Sequence, residues 1–314
     1  MRKVVLVGLC LLAVSCNRSQ KKVIGVVPKA TSHLFFVSIH AGVDQAAKDL
    51  GVEVQWNGPN EETDHARQIQ IVDSMVTQHL SAIAISATDE RALAAPVERA
   101  IKAGIPVSVF DSGVNGEGFV TFVATDNFGA GVAAARKIAE FIGGKGTVAM
   151  VMHKPGGTST MLREQGFTGT IAKEFPNVKI VARQYGMADR AKARDAAENM
   201  LTAHPDLDAM FASSEASSLG AIQAIKVRGL SGKVKLITFD TSDSHIEALA
   251  DGTITLMLVQ DSFKIGYEAV KSLAVKLNGG TPEKRMDLPA RLITKADMAK
   301  PEVMALLKPA TGVK

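Results

Sequence analysis

Residues 82–111 read AIAISATDERALAAPVERAIKAGIPVSVFD, and this stretch decides the fold. Ala82–Ser86 is a short apolar run bounded by turn residues, which reads as a buried strand. From Arg91 to Ala103 the apolar residues fall at helical spacing, and Gly104 stands where a helix stops. Pro106–Phe110 is again a strand, and Asp111 closes it. Strand, helix and strand in succession argue a parallel sheet with helices on its faces.

The same unit recurs in both directions. Towards the N-terminus, Val23–Val27 reads as a strand, Phe35–Leu50 as a helix ended by Gly51, and Val52–Trp56 as a strand. Thr63 can cap a helix from Asp64 to about Gln78. Strand starts near 23, 52, 81 and 106 are 25–29 residues apart, the length of a βα unit. Towards the C-terminus an extra strand-like run, Phe119–Ala124, comes first. Further strands then begin at Thr147, Val178, Asp208 and Val234, with helices at about 159–174, 189–203 and 215–228 between them. Two sets of four units predict an α/β protein of two similar, doubly wound parallel-sheet lobes, joined near Ala124–Asn127. No Pro/Ser-rich linker separates them, so the join is tight. Ile254–Val259 reads as a strand, Phe263–Leu277 as a helix, Leu288–Ile293 as a last strand, and Lys300–Lys314 as a solvated tail. The expected N-terminal lobe is 22–125 plus 261–286, and the C-terminal lobe 126–260 plus 287–314.

Composition agrees with a globular chain. Of 314 residues, 46% are apolar and 22% charged, which excludes a disordered, collagen-like or polytopic membrane protein. Net charge is +4, and Arg2 and Lys3 supply two of those charges, so no basic nucleic-acid surface is indicated. The only cysteines are Cys10 and Cys16, so the rest of the chain holds no disulfide, thiolate site or cysteine nucleophile. Arg2 and Lys3 precede an apolar run, Val4–Val14, that is too short to span a membrane as a mature helix. It reads as an export signal over 1–15. The end of that run, Ala13-Val14-Ser15-Cys16, resembles the lipobox of bacterial lipoproteins. That resemblance implies cleavage before Cys16, lipidation of its thiol and a tether over 16–21. An ordinary signal peptide cut nearby is the alternative.

In doubly wound sheets, ligands bind beyond the carboxyl ends of the strands. The polar residues at those ends are Asp111, Asp240, Gln260 and the trio Ser213-Ser214-Glu215, while Phe35 and Phe36 open the helix after the first strand. Carboxylates accept from hydroxyl pairs, amides donate and accept, and ring faces pack on C–H faces. The set suits a neutral, polyhydroxylated ligand.

The series Phe35-Phe36-Val37-Ser38, Thr125-Asp126-Asn127, Arg163-Glu164-Gln165-Gly166-Phe167, Leu201-Thr202-Ala203-His204-Pro205-Asp206, Phe239-Asp240 and Val259-Gln260-Asp261 resembles the periplasmic sugar-binding proteins of ABC transporters. The resemblance is to those of the ribose-binding type, and extends to the sugar-binding core of lactose-repressor-like regulators. Trp56-Asn57-Gly58-Pro59 also recurs in a subset of such binders. The resemblance runs from about Lys22 to the C-terminus. It implies a multi-strand hinge with ligand in the cleft between the lobes. It places the ring-sandwiching aromatics on Phe35 and Phe36, the ligand arginine on Arg163, the hydroxyl-binding carboxylates on Asp111 and Asp240, and the hinge-side amide on Gln260. Four positions depart from the pattern: His33 replaces an amide, Ser112 an arginine, Ser214 an asparagine with Glu215 beside it, and a second-lobe ring falls near Ala188. Met187 either substitutes for that ring or is core.

Other readings are weaker. His33 and His40 lack a third ligand nearby in sequence, so no metal or cofactor is expected. Gly143-Gly144-Lys145-Gly146 precedes a strand and reads as a turn, not a phosphate loop. There is no GxSxG, HExxH or GxGxxG motif, which disfavours an exported enzyme. The export signal leaves no room for a helix-turn-helix, which disfavours a regulator. The expected protein is a lipid-anchored, monomeric sugar receptor of the periplasm or outer cell surface, partnered by an ABC permease. A receptor for chemotaxis or another signalling protein is the alternative.

Overall fold

The computed structural model describes residues 21–307, so the expected export signal and Cys16 lie outside the described residues. Two six-stranded sheets form. In the first, β1 (Val23–Val27), β2 (Glu53–Trp56), β3 (Ala82–Ile85), β4 (Val107–Phe110) and β5 (Thr121–Thr125) lie in the order β2-β1-β3-β4-β5. In the second, β6 (Gly146–Met152), β7 (Val178–Tyr185), β8 (Ala209–Ala212), β9 (Lys235–Phe239) and β10 (Ile254–Val259) lie in the order β7-β6-β8-β9-β10. All these pairings are parallel. A sixth strand extends each sheet: β11 (Arg285–Leu288) lies parallel to β5, and β12 (Arg291–Ile293) antiparallel to β10. The central strands β3, β4 and β8 are buried along their whole length, as strands covered on both faces must be.

Ten helices are described. The first lobe carries α1 (Leu34–Leu50), α2 (His65–Thr77) and α3 (Ala94–Lys102). The second carries α5 (Thr158–Glu174), α6 (Arg190–Ala203), α7 (Glu215–Val227), α8 (Asp243–Ala250) and α10 (Pro301–Leu307). Two helices sit across the divide from the strand that precedes them. α4 (Asn127–Phe141) follows β5 but packs on α5, and α9 (Ser262–Leu277) follows β10 but packs on α1. The chain therefore crosses between lobes at Asp126, Asp261 and Pro289–Ala290. The α4–α5 contact is close: a Cβ on Gly131 would overlap the Arg163 carbonyl, and one on Gly166 the Phe128 carbonyl. These glycines seat the turn that carries Arg163.

The structure differs from the sequence reading in five places. α2 is capped by Asp64, not Thr63, since the Asp64 carboxylate accepts from the Arg67 N–H. α3 begins at Ala94 rather than Arg91, because the Asp89 carboxylate accepts from the Arg91 and Ala92 N–H groups and holds a turn there. The short helix α8 follows β9, where none was expected. The last strand is two strands on different sheets. β11 pairs through Leu288 with Thr125, which moves the third crossing past the expected 286/287 division. Lys300 onward is not all solvated tail: Pro301–Leu307 is helical, and Leu307 is buried in the second lobe's core.

Candidate ligand-binding site

The two lobes present equivalent strand ends to one cavity. Asp111 follows β4 and Asp240 follows β9, and each N–H donates to the neighbouring strand, to Val123 O at 2.8 Å and Leu258 O at 2.9 Å. Both aspartates have left-handed backbones, with φ of 55° and 71°. Non-glycine residues adopt that conformation at a cost, and such strain gathers at functional sites. The strand-end turn points both carboxyls into the cleft.

Each carboxylate is held from behind. Asp111 Oδ2 accepts from Ser86 Oγ at 2.8 Å and lies 3.2 Å from Lys29 Nζ. Asp240 Oδ1 accepts from Gln260 Nε2 at 2.6 Å, and Oδ2 accepts from the Glu215 N–H at 2.9 Å. Burial pushes the Asp240 pKa up, against the opposing charge of Arg163. Gln260 Oε1 in turn accepts from Thr125 Oγ1 at 2.7 Å, joining the ends of β10 and β5 where the chain changes lobes. Arg163 is almost wholly buried. Its Nε donates to Asn127 Oδ1 at 2.8 Å, its Nη1 to Ser213 O at 2.9 Å, and its guanidinium lies 4.1 Å from the Phe239 ring centre. Burial lowers its pKa, and Asp240 and Asp111 offset part of that.

Phe35, Phe36, Asp111, Arg163, Asp240, Gln260, His33, Ser214 and Glu215 all line this one cavity. The Phe35 and Phe36 rings meet edge to face at 5.2 Å. Ser112 does not line it; its hydroxyl lies 3.1 Å from Thr158 Oγ1 across the cleft. Met187 is neither core nor part of the cavity wall: it is 39% exposed in a left-handed turn with Ala188. His40 stacks on Trp56 at 4.2 Å, and no cluster of three metal-ligating residues occurs among the described residues.

Sequence reasoning missed Lys29, Glu62, His153, Ser159 and Thr160, which line the same cavity. Glu62, in the loop between β2 and α2, is the hub. Its carboxylate lies 3.5 Å from Lys29 Nζ, 3.2 Å from His33 Nδ1 and 2.9 Å from His153 Nε2. Burial opposes its charge, but Lys29 and His153 hold its pKa well below the usual carboxylate range. Lys29 is buried as well, and the charges of Asp111 and Glu62 outweigh that burial and raise its pKa. Burial would lower the His33 pKa, yet the hydrogen bond and charge of Glu62 raise it. For His153 burial wins and the pKa falls. The second His153 nitrogen, Nδ1, lies 2.8 Å from Ser214 Oγ.

Several of these contacts bridge the lobes. Glu62 meets His153, Lys29 Nζ reaches Ser159 Oγ at 3.4 Å, Lys154 Nζ donates to Thr88 O at 2.5 Å, and the Glu90 N–H donates to Gly156 O at 3.0 Å. The structure is thus a closed form. Carboxylates and cations from both sides face a space with aromatic rings at one wall. That arrangement grips hydroxyl groups through charge-assisted hydrogen bonds. Ser214 Oγ lies within hydrogen-bond reach of His153, whose other nitrogen meets Glu62, and the same hydroxyl accepts from the Ser217 N–H as the cap of α7.

Comparison with known proteins agrees with this geometry. A family model described as a periplasmic binding protein domain matches residues 24–281. The ribose import binding protein of Bacillus subtilis (strain 168) is 30% identical over 280 residues, covering 88% of this chain and 90% of that protein. The D-allose-binding periplasmic protein of Escherichia coli (strain K12) is 30% identical over 254 residues, covering 78% and 81%. Among solved structures, a carbohydrate transporter solute binding protein from Agrobacterium radiobacter, in complex with D-arabinose, superposes with a TM-score of 0.89. It is 33% identical over 92% of this chain and 99% of that one. An ABC transporter solute binding protein from Agrobacterium vitis with bound D-fucose gives 0.88, at 30% identity over 91% and 100%. These relatives are solute-binding proteins, not enzymes, and their likeness covers both lobes. The chain belongs to the periplasmic binding protein family, among its ribose-binding-type members.

Proposed function

We propose that this protein captures a monosaccharide or related polyol outside the cytoplasm by closing its lobes, and delivers it to an ABC transporter permease. One observation carries the reading: Asp111 and Asp240, from equivalent strand ends of opposite lobes, face one cavity with Arg163 and Phe36. A neutral sugar offers hydroxyls to both carboxylates and to the guanidinium, and a C–H face to the ring. Closure removes water from these pairs and makes them selective. The relatives' names support the ligand class, since they specify ribose and allose, and the neighbouring structures hold arabinose and fucose.

The residues assigned to ligand are Phe35, Phe36, Asp111, Arg163, Asp240 and Gln260, with His33 and Ser214 at the edge. Where the family resemblance leads one to expect an arginine at Ser112, the cation beside Asp111 is Lys29, arriving from the end of β1. The pocket is therefore not that of a ribose binder copied whole. A thermal-shift panel of D-ribose, D-allose, D-arabinose, D-fucose and simple polyols tests the reading. A ligand at about 100 times its Kd stabilises by about 2.7 kcal/mol, an easily read shift. A single strong responder is expected, confirmed by calorimetry. A flat panel from protein shown by mass spectrometry to carry no retained sugar would overturn the assignment.

Anchoring by a lipid on Cys16 is part of the same proposal. It rests on the Ala13-Val14-Ser15-Cys16 pattern after an apolar run. Cys16→Ser is expected to move the protein from the membrane fraction to the soluble fraction. Retention in the membrane fraction would remove the lipid from the account.

A further inference from the structure

We infer that Glu215 is a positioning residue for lobe closure: a second-lobe carboxylate that caps helix α1 of the first lobe, rather than a sugar ligand. The inference rests on the capture-by-closure reading. Most helices of this protein cap themselves. The side chains of Asp64, Asp126, Asp189, Ser214, Ser242 and Asp261 each accept from an N–H in the first turn of their own helix. α1 does not. Its N-cap is His33, which makes no capping bond, and the His33 ring is turned to Glu62 instead. No acidic residue stands in the first turn of α1.

The missing acceptor comes from across the cleft. The Phe35 N–H donates to Glu215 Oε2 at 3.1 Å. The other oxygen, Oε1, accepts from Arg190 Nη2 at 2.7 Å, which fixes the carboxylate in place. The Glu215 N–H is bound to Asp240 Oδ2. One residue thus ties the ligand carboxylate of one lobe to the helix start that carries Phe35 and Phe36 in the other. A negative charge at a helix N-terminus is favourable, and this one is nearly wholly buried. The bond forms only when the lobes close, so it biases the closure equilibrium. Apparent affinity scales with the closed population, whatever the ligand.

A direct sugar contact and a closure contact differ in pattern. Calorimetry with each sugar that the unaltered protein binds, among D-ribose, D-allose, D-arabinose and D-fucose, reads that pattern. Glu215→Ala is expected to weaken all of them by one common factor of about ten. Glu215→Gln, which keeps an acceptor, should weaken them about threefold by the same rule. Arg190→Ala, on a half-exposed side chain, should give an intermediate and equally uniform loss. Small-angle scattering at subsaturating sugar should show Glu215→Ala more open than the unaltered protein, with an unchanged thermal midpoint of the ligand-free chain. Losses that differ from sugar to sugar, or no loss with Glu215→Ala, would overturn the inference while leaving sugar capture intact. If the unaltered protein, shown to carry no retained sugar, binds none of these sugars and none of the polyols of the thermal-shift panel, the capture reading falls, and the inference falls with it.

Discussion

Asp240→Ala is expected to weaken sugar binding by about a hundredfold or more, with little change in the stability of the ligand-free fold. The two halves of that statement have separate causes. In the closed form Asp240 faces the cavity beside the buried Arg163 guanidinium. Removing one member of a buried, hydrogen-bonded charge set typically costs about 2–5 kcal/mol of binding, and 1.4 kcal/mol is tenfold. The fold loses less, because burial raises the Asp240 pKa above its ordinary value. An acid with a raised native pKa works against its own fold once the pH exceeds its unfolded value, so at neutral pH its removal also relieves a cost. Asp240→Asn removes the charge and keeps one acceptor: its single carbonyl oxygen can accept from Gln260 Nε2 or from the Glu215 N–H, not from both. It should fall between the unaltered protein and Asp240→Ala. Calorimetry with the panel's strongest sugar, beside thermal unfolding without sugar, reads both quantities. A loss below tenfold for Asp240→Ala would mean that the carboxylate does not touch ligand.

Asp240 was legible in the sequence, and the reason shows which parts of such a site can be read in advance. It ends the apolar run Leu236–Phe239, just as Asp111 ends Val107–Phe110, and strand ends are where doubly wound sheets bind. The repeat of βα units exposes those ends without any knowledge of packing. Phe35 and Phe36 were legible in the same way, at the opening of the helix after the first strand, whereas Arg163 became visible through the family resemblance. Glu62 had no such signal. It lies in Asn60-Glu61-Glu62-Thr63-Asp64, a polar run that reads as solvated loop, yet it is 3% exposed. Its burial depends on His153 arriving from the other lobe, a contact between residues 91 positions apart. Lys29 and His153 follow β1 and β6, the strands beside the switch points of the two sheets, so their positions obeyed the same rule as the aspartates. A lone lysine or histidine at a strand end is simply less distinctive than an aspartate beside an aromatic pair. The third crossing was misplaced for another reason. Leu288–Ile293 reads as one strand in the sequence, whereas β11 ends at Leu288 and β12 begins at Arg291, and the change of sheet at Pro289–Ala290 is decided by which partner each half meets.

Glu62→Gln is expected to lower sugar affinity by about a hundredfold and to change its dependence on pH. The substitution keeps the side chain's size and removes the charge that Lys29, His33 and His153 share. Leaving buried cations without their partner costs roughly 3–5 kcal/mol where no water can enter, and somewhat less at a cleft. The pH effect follows from the direction of each shift. His33, with a raised pKa, favours the closed form fully below its unfolded value of about 6.5, and that contribution fades as pH rises through its native value. His153, with a lowered pKa, has the opposite slope: its contribution is full above about 6.5 and is lost as pH falls through its native value. In the unaltered protein the two windows lie on opposite sides of about pH 6.5, so affinity should be highest near that pH and decline on both sides of it. It should decline further in acid, as pH falls below the ordinary carboxylate range towards the lowered pKa of Glu62. With glutamine at 62, the charge that raises His33 is gone and burial lowers both histidines. Both slopes then have the same sign, so affinity should hold level above about pH 6.5 and fall steadily below it, with no decline on the alkaline side. Calorimetry on both sides of that pH, with the same sugar for both proteins, decides the matter. If Glu62→Gln weakens binding but keeps the maximum near about pH 6.5, Glu62 acts by shape alone, and the shared charge between the lobes is not what holds them closed.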